Sequence, residues 1–224
     1  MLYIGTPSYD GKLCATTVAG LLDLRHICTA NNIGFAMDVI PGNAFVGHGR
    51  NQIAHRFMKS EFRDLLFIDA DIGFEAIDAA ALCRAEPEIV MGLYLMKQEK
   101  PQYPALFVDP LEKHPSDPRL IRMQYGPTGF MRIRKEVFIA MQQKWPDEWY
   151  IDGASKEKTY DYFPGGRHGN NFMSEDIAFC ERAKQCGFDL WAMQGIELQH
   201  TGNKTWRSKW AMERAFIKEV ADAA

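Results

Sequence analysis

The chain lacks the cysteine spacing and the long apolar runs that mark disulfide-bonded, zinc-ribbon or membrane proteins. Its 224 residues include five cysteines, an odd number without Cys-x-x-Cys spacing, which argues against a disulfide framework or a zinc ribbon. No apolar run approaches the roughly 18 residues that a membrane span needs, and no charged leader precedes the first apolar segment. We therefore expect a cytoplasmic chain without a membrane span.

A strong charge of one sign is also lacking. The formal net charge of -3 and the pI near 6.1 give no overall attraction to nucleic acid, so we expect no nucleic-acid partner. The 46% hydrophobic and 25% charged residues are typical of an ordinary globular domain with a substantial core. The sequence predicts one domain spanning residues 1–224.

Apolar and amphipathic segments alternate along the first half of the chain. This rhythm predicts an α/β fold with a mostly parallel central sheet flanked by helices. The second half has shorter apolar runs, which predict a small antiparallel element. The expected strands are 2–5, 35–40, 65–68, 89–93, 105–108, 120–125, 130–133, 188–192 and 196–199, and the expected helices cover about 18–27, 50–59, 75–85 and 175–186 and start near Lys135 and Lys209.

The segment 145–173 is too rich in glycine and too irregular to predict regular structure. A loop of this length inside a compact domain is usually functional or mobile. We interpret it as a lid or a substrate wall, with a passive surface excursion as the alternative.

Two aspartates one residue apart, Asp69 and Asp71, directly follow the apolar run Leu65–Ile68. Such a run is typical of a strand buried on both faces of a parallel sheet, and ligands of these sheets bind at the carboxyl ends of the strands. A bend at Ala70 would let one carboxylate reach a divalent cation while the other meets a bound ligand. The alternative is an ordinary strand end, where aspartate is common.

Three other places have residue types suited to the same chemistry. Glu175 and Asp176 follow Ser174 at a predicted helix start, where they serve either as a general base or as ordinary capping residues. His200 follows a predicted strand and is either a metal ligand or a hydrogen-bonded structural residue. Arg50 and Asn51 begin a predicted helix, which favours an anion site or a solvated helix start. Lys97 and Lys100 are equally ambiguous.

The order of these motifs resembles that of GT-A fold glycosyltransferases, particularly the small family 2-like enzymes of bacteria and viruses. The matching segments span nearly the whole chain. They are Thr6-Pro7-Ser8, Gly49-Arg50-Asn51, Leu66 to Asp71, Gly92-Leu93-Tyr94 with Lys97, Gly129-Phe130-Met131 with Lys135, Ser174-Glu175-Asp176 with Phe179-Cys180, and His200-Thr201-Gly202.

The resemblance implies a nucleoside-diphosphate sugar donor and a glycan or other hydroxyl acceptor. It implies a donor-binding half over 1–100 and an acceptor-binding, catalytic half over 101–224. It also implies Mn²⁺ or Mg²⁺ on Asp69, Asp71 and His200, and Asp176 as the base with Glu175 as its rival. The implied donor contacts are Thr6, Pro7, Ser8, Arg50, Asn51, Asp69, Ala70, Asp71 and Gly129.

Two other functions fit parts of the pattern. A haloacid-dehalogenase-like phosphatase also has Asp-x-Asp after an apolar strand, but here that strand is third and Gly73 stands where threonine or valine is expected. A non-enzymatic, metal-dependent carbohydrate-binding module would need the aspartates but neither Arg50 nor Asp176. The motifs do not decide whether transfer inverts or retains the anomeric centre, and they do not identify the sugar.

Overall fold

The computed structural model describes residues 1–211. The first half contains β1 (Leu2–Ser8), α1 (Ala15–Ala30), β2 (Phe35–Pro41), α2 (Val46–Met58), β3 (Asp64–Ile68), β4 (Ile72–Phe74), α3 (Ala76–Arg84), β5 (Ile89–Met91) and β6 (Leu106–Phe107). The second half contains β7 (Leu120–Tyr125), β8 (Phe130–Arg134), α4 (Lys135–Lys144), β9 (Trp149–Ile151), β10 (Lys158–Tyr160), β11 (Gly166–His168), β12 (Asn171–Met173), α5 (Glu175–Gln185), β13 (Leu190–Met193), β14 (Glu197–Thr201) and β15 (Thr205–Lys209).

An eight-stranded sheet in the order β2-β1-β3-β8-β5-β13-β7-β6 forms the centre of the protein. Strands β1, β2 and β3 are mutually parallel, and β5 is parallel to β13. Strand β8 lies antiparallel between β3 and β5, and β7 lies antiparallel between β13 and β6. Only β7 and β8 therefore run against the common direction, which confirms the predicted mostly parallel α/β sheet. A separate sheet joins β15, β14 and β4.

Side chains of β3 alternate between two apolar layers, as the pleat of a strand requires. Leu65 and Phe67 pack in the layer that contains residues of α2, α4 and α5, whereas Leu66 and Ile68 pack in the layer that contains residues of α1 and α3. All four are fully buried. Helices thus cover both faces of β3. Polar side chains that follow the strand can therefore reach solvent beyond its carboxyl end.

Three predictions about elements need correction. Helix α2 begins at Val46 and not at Arg50, although Gly47 and Gly49 are weak helix formers, because tertiary contacts outweigh intrinsic propensity here. The segment 145–173 contains two short hairpins, β9–β10 and β11–β12, and not only irregular loop. Lys209 ends β15 instead of starting a helix, and the rest of that predicted helix lies outside the described residues.

Besides the four strands of these hairpins, two further strands were not predicted, β4 and β15. Strand β4 lies between β3 and α3, where Gly73 lets the backbone approach Thr16: a Cβ at this glycine would lie 2.6 Å from the Cβ of Thr16. Strand β15 returns antiparallel along β14. Within residues 1–211, no helix combines the length and the apolar character needed to cross a bilayer.

Candidate active site

The predicted site residues gather at the carboxyl ends of β1 and β3, beside the start of α2. Asp69 directly follows β3, and its backbone N–H donates to the carbonyl of Gly129, 2.9 Å away. A cleft of about 200 Å³ opens here. It is lined by Pro7, Ser8, Tyr9, Asn43, Ala44, Val46, Asp69, Ala70 and Asp71. We call it the donor cleft, after the role that the sequence resemblance implies for five of these residues.

Arg50 is the centre of a cluster of carboxylates. Its side chain is only 2% exposed. Nη1 donates to Oδ1 of Asp69 at 2.8 Å, and Nη2 donates to Oδ2 at 3.4 Å. Nη2 also lies 3.8 Å from Oε1 of Glu175 and 3.7 Å from Oδ1 of Asp176. One buried cation therefore joins the end of β3 to the start of α5.

The charges of this cluster shift the pKa values of its members. Burial alone would lower the pKa of Arg50, but the surrounding carboxylates Asp69, Asp176 and Glu175 raise it well above its ordinary value. Burial is also the main reason that the pKa of Glu175 and that of Asp176 are raised, and Arg50 opposes both shifts. A carboxylate with a raised pKa is a stronger proton acceptor, which suits a general base at neutral pH.

Asp176 is held by two donors from one residue. The hydroxyl and the backbone N–H of Thr128 both donate to Oδ1 of Asp176, the N–H at 3.3 Å. The second oxygen, Oδ2, is then the one with capacity to accept a proton. Ser174 caps α5 through its hydroxyl, which accepts from the N–H of Ile177 at 3.4 Å. Ser174 therefore caps the helix, which leaves Asp176 available for the site.

Gly129 lies so close to the site that a side chain at this position would collide with two of its groups. A Cβ at this position would lie 2.4 Å from the hydroxyl of Tyr94 and 2.5 Å from Oδ2 of Asp69. Neither separation is possible for real atoms, so only glycine fits without displacing one of these groups. Burial raises the pKa of Tyr94, and the charges of Asp69 and Asp176 add to this shift. The Tyr94 hydroxyl therefore stays protonated.

Asp71 faces a different set of partners from Asp69. Its Oδ2 accepts a hydrogen bond from the ammonium of Lys97, and its Oδ1 lies 3.7 Å from Nε2 of His200. Burial would raise the pKa of Asp71, but the contacts with His200 and Lys97 outweigh it and hold this pKa below its ordinary value. Asp71 is therefore ionised at neutral pH.

The tautomer of His200 follows from its hydrogen bonds. Nδ1 lies 2.8 Å from the carbonyl oxygen of Leu95, which can only accept, so we assign the proton to Nδ1. In the imidazolium form, an Nε2–H faces Asp71 and favours its ionised carboxylate, whereas in the neutral form Nε2 offers a lone pair to a metal ion. A backbone carbonyl that fixes the outer nitrogen in this way is a common arrangement for metal-binding histidines.

These residues fit a divalent cation whose shell is completed by other ligands. Asp71 and His200 supply one oxygen and one nitrogen donor, and Asp69 is turned to Arg50. Within residues 1–211, no three His, Cys, Asp or Glu side chains are grouped closely enough to hold a metal ion on their own. Phosphate oxygens and water normally complete such a shell.

Four residues expected to contact the donor do not line the donor cleft: Thr6, Arg50, Asn51 and Gly129. Thr6 is fully buried. Asn51 accepts at Oδ1 from the N–H groups of Tyr162 and Phe163 at 2.9 and 3.1 Å, and its Nδ2 donates to Asp161 at 2.7 Å. Asn51 therefore ties the segment 145–173 to α2, because all three of these bonds run to that segment. Arg50 likewise lies within α2 and not at its first turn, so the predicted helix-start anion site is displaced to Val46.

A second cleft of about 460 Å³ adjoins the donor cleft and shares Ala44 and Val46 with it. We call it the acceptor cleft, after the role that the sequence resemblance implies for the second half of the chain. Phe172 and Phe45 at its rim are 82% and 79% exposed. Its lining consists of Ala44, Phe45, Val46, Gly47, His48, Phe163, Gly165, Gly166, Phe172, Met173, Ser174 and Glu175.

Sequence reasoning missed Thr128 and left Lys97 undecided. Thr128 directly precedes the Gly129 motif, between β7 and β8. It lies 48 residues from Asp176 in the chain, so no local pattern relates the two residues. Lys97 lies in the loop after β5, and no local pattern predicts its pairing with Asp71.

Comparisons with known proteins support the fold. No family model matches the chain, and no curated protein matches it. Among solved structures, the A197 protein from STIV has a TM-score of 0.57 at 15% identity and covers 90% of this chain and 86% of its own. Such a likeness shows the fold alone, and the fold agrees with the GT-A-type architecture expected from the sequence.

Two further solved structures match more distantly. A Drosophila β-1,4-galactosyltransferase 7, in complex with manganese, UDP-Gal and xylobiose, has a TM-score of 0.47 at 12% identity over 96% of this chain and 74% of its own. Residues 1–349 of TarS from S. aureus, in complex with UDP, have a TM-score of 0.44 at 15% identity over 86% of this chain and 57% of that one.

Proposed function

We propose that the protein is a metal-dependent glycosyltransferase that moves a sugar from a nucleoside diphosphate to a hydroxyl acceptor with inversion. The carrying observation is that two carboxylates with different partners lie at adjoining clefts: Asp71 lines the donor cleft, and Asp176 directly follows Glu175, which lines the acceptor cleft. Asp71 is paired with a lysine and a histidine, whereas Asp176 is anchored by Thr128 and has a raised pKa. The first arrangement suits a leaving diphosphate and the second suits an incoming hydroxyl.

The donor side of the proposal rests on the cleft at the end of β3. Ser8, Val46 and Ala70 line it together with both aspartates. The start of α2 adjoins the cleft at Val46, and unsatisfied N–H groups at a helix start favour an anion such as a diphosphate. Asp71 and His200 are the residues that would hold Mn²⁺ or Mg²⁺. When bound, the cation would neutralise negative charge that develops on the leaving diphosphate.

The acceptor side rests on Asp176 and the adjoining acceptor cleft. Asp176 would take the proton of the acceptor hydroxyl at Oδ2, while Thr128 fixes the carboxylate through Oδ1. Glu175 lines the acceptor cleft and would hydrogen-bond the acceptor. Phe45 and Phe172 at the rim offer aromatic faces for an apolar ring surface of the acceptor. The segment 145–173 would serve as the wall of this cleft.

Arg50 would organise the centre in this proposal. Its buried guanidinium holds Asp69 and lies close to Glu175 and Asp176. The Arg50–Asp69 bonds leave Asp69 poorly placed as a free nucleophile. This weighs against the phosphatase alternative, in which the first aspartate attacks phosphorus.

The testing experiment is a thermal-shift screen of nucleoside diphosphates and their sugars, with and without Mn²⁺, followed by a transfer assay on the sugar that binds. Binding to the native state raises the unfolding midpoint by mass action. We expect a shift with one nucleoside diphosphate that requires Mn²⁺ and is lost in Asp71→Asn. Binding of free glycans without any nucleoside diphosphate would instead support the carbohydrate-binding module.

A further inference from the structure

The ammonium of Lys97 lies on the carboxylate that the proposed function assigns to the metal. It donates to Oδ2 of Asp71, while Nε2 of His200 lies 3.7 Å from Oδ1. Oδ2 of Asp71 therefore already has a cationic partner, and Oδ1 faces the imidazole that would share the metal. A divalent cation that binds Asp71 must share the carboxylate with this ammonium or displace it.

Lys97 is held at this position by its own loop. A Cβ at Gly202 would lie 3.0 Å from the Cδ of Lys97, so the lysine stem runs against the turn between β14 and β15. The same loop accepts at the carbonyl of Gln98 from Nε1 of Trp206, 2.8 Å away. Glu99 pairs with Lys204 at 2.8 Å. The loop is thus joined to the hairpin that contains His200. These contacts keep Lys97 next to Asp71.

The charges make Lys97 a competitor of the metal. An ammonium and a divalent cation on one carboxylate repel each other over a few ångströms, and the partly buried position strengthens this repulsion relative to water. A nucleoside diphosphate brings several negative charges, which an ammonium and a metal can neutralise together. When the diphosphate is bound, the ammonium of Lys97 would therefore pair with it and would no longer oppose metal binding.

We propose that Lys97 competes with the divalent cation for Asp71, so that the cation is retained with the diphosphate and not before it. This inference rests on the proposed function, because it takes Asp71 and His200 as the metal ligands. Beyond the proposed function, it assigns Lys97 the role of a built-in cation that weakens metal binding when no donor is bound.

The test measures Mn²⁺ binding alone, without turnover, by electron paramagnetic resonance of the free ion. The proteins are the wild type, Lys97→Met, Lys97→Arg, Lys100→Met and Lys97→Met with Asp71→Asn. Methionine keeps an unbranched stem against Gly202 but removes the charge. Lys100 lies three residues away in the same loop and is exposed, which makes Lys100→Met the matched control. Lys97→Gln is a second neutral variant in case Lys97→Met does not fold.

We expect Lys97→Met and Lys97→Gln to bind Mn²⁺ at least about tenfold more tightly than the wild type, because the competing charge is gone. Lys97→Arg and Lys100→Met should match the wild type, and Asp71→Asn should cancel the gain. Unchanged or weaker Mn²⁺ binding by folded neutral variants would overturn the inference. Failure of the proposed function looks different, since the wild type would then show no Mn²⁺-dependent diphosphate binding in the thermal screen.

Discussion

The guanidinium of Arg50 joins Asp69, at the end of β3, through hydrogen bonds of 2.8 and 3.4 Å. The same side chain lies within 4 Å of Glu175 and Asp176, at the start of α5. The guanidinium carbon Cζ also lies 5.7 Å from the centroid of the Phe67 ring, so a cation–π contact accompanies the ion pairs. This relationship makes the two halves of the candidate site depend on one buried cation.

Arg50→Met should destabilise the protein by about 3–5 kcal/mol, because it removes a buried cation and leaves three partly buried carboxylates without it. Urea unfolding at neutral pH measures the free energy of unfolding. Arg56→Met on the same helix is the control: Arg56 is 54% exposed and pairs with Asp38, so its loss should cost less than about 1 kcal/mol. Equal losses in both variants would show that the cluster contributes no more than a surface pair.

Gly129→Ala should destabilise the protein by about 1–3 kcal/mol and impair donor binding, because its Cβ needs space held by Tyr94 and Asp69. Adding Tyr94→Phe removes the hydroxyl at 2.4 Å and should recover part of the loss. Gly153→Ala is the control, since a Cβ there meets nothing within 4 Å. Unfolding midpoints and diphosphate titrations report the two effects. A Gly129→Ala protein of normal stability and affinity would refute the close approach.

The sequence predicted the position of Asp69 and Asp71 because a short, fully apolar strand followed by polar residues is a local signal. It also predicted α5 with its cap at Ser174. It did not predict that β8 lies between β3 and β5, since strand pairing is decided by contacts between distant segments. That insertion is what brings Gly129 beside Asp69 and Thr128 beside Asp176.

The pairings within the site were equally beyond local patterns. Arg50 was placed at a helix start, where an arginine is normally solvated, because Gly47 and Gly49 weaken the helical pattern before it. The fold extends α2 to Val46 and buries the guanidinium. The partner of Lys97 depends on the path of a loop against Gly202, and sequence periodicity contains no information about such a path.

Asp176→Asn should lower kcat by about 10²–10⁴, because an amide cannot accept the proton of the acceptor hydroxyl. The KM for the donor should change little, since Asp176 is not among the residues that line the donor cleft. Thr128→Val removes one of the two donors to Oδ1 and should cause a smaller loss of kcat. Glu175→Gln should mainly raise the KM for the acceptor. Steady-state kinetics with both substrates varied separates these outcomes, and the reverse ranking of Asp176→Asn and Glu175→Gln would exchange their assigned roles.

Asp71→Ala should lower kcat/KM by about 10²–10³ while the fold remains intact, because charge on the leaving diphosphate loses part of its stabilisation. Asp147→Ala, at an exposed position in the segment 145–173, should retain normal activity. Far-ultraviolet circular dichroism establishes that both variants are folded before their rates are compared. Near-normal transfer by Asp71→Ala would remove this residue from the metal assignment.

We expect Asp152 to make the folded state less stable in acid, by an effect that does not involve the proposed catalytic residues. Its carboxylate is 1% exposed and accepts from the N–H of Ser155 at 2.7 Å, from Gln52 at 2.9 Å and from His48 at 2.7 Å. Hydrogen bonds from Ser155 are the largest cause of its lowered pKa, with Gln52 and His48 adding to the effect and burial opposing it. The bonds from Gln52 and His48 connect the β9–β10 hairpin to α2, and the bond from Ser155 lies within the hairpin's own turn.

Because the pKa of Asp152 in the folded state lies below its ordinary value of 3.8, its contribution is fully present above that value and is lost as the pH falls below it. Asp152→Asn should therefore cost about 1.5–3 kcal/mol at pH 7, the range for hydrogen bonds to a charged group. This difference from the wild type should shrink as the pH falls from about 4 toward 2. Urea unfolding across this range measures it. Asp10→Asn is the control, because Asp10 also has a lowered pKa but is 53% exposed, and its loss should leave the stability unchanged. A constant difference between wild type and Asp152→Asn at every pH would mean that Asp152 contributes through its shape and not through its charge.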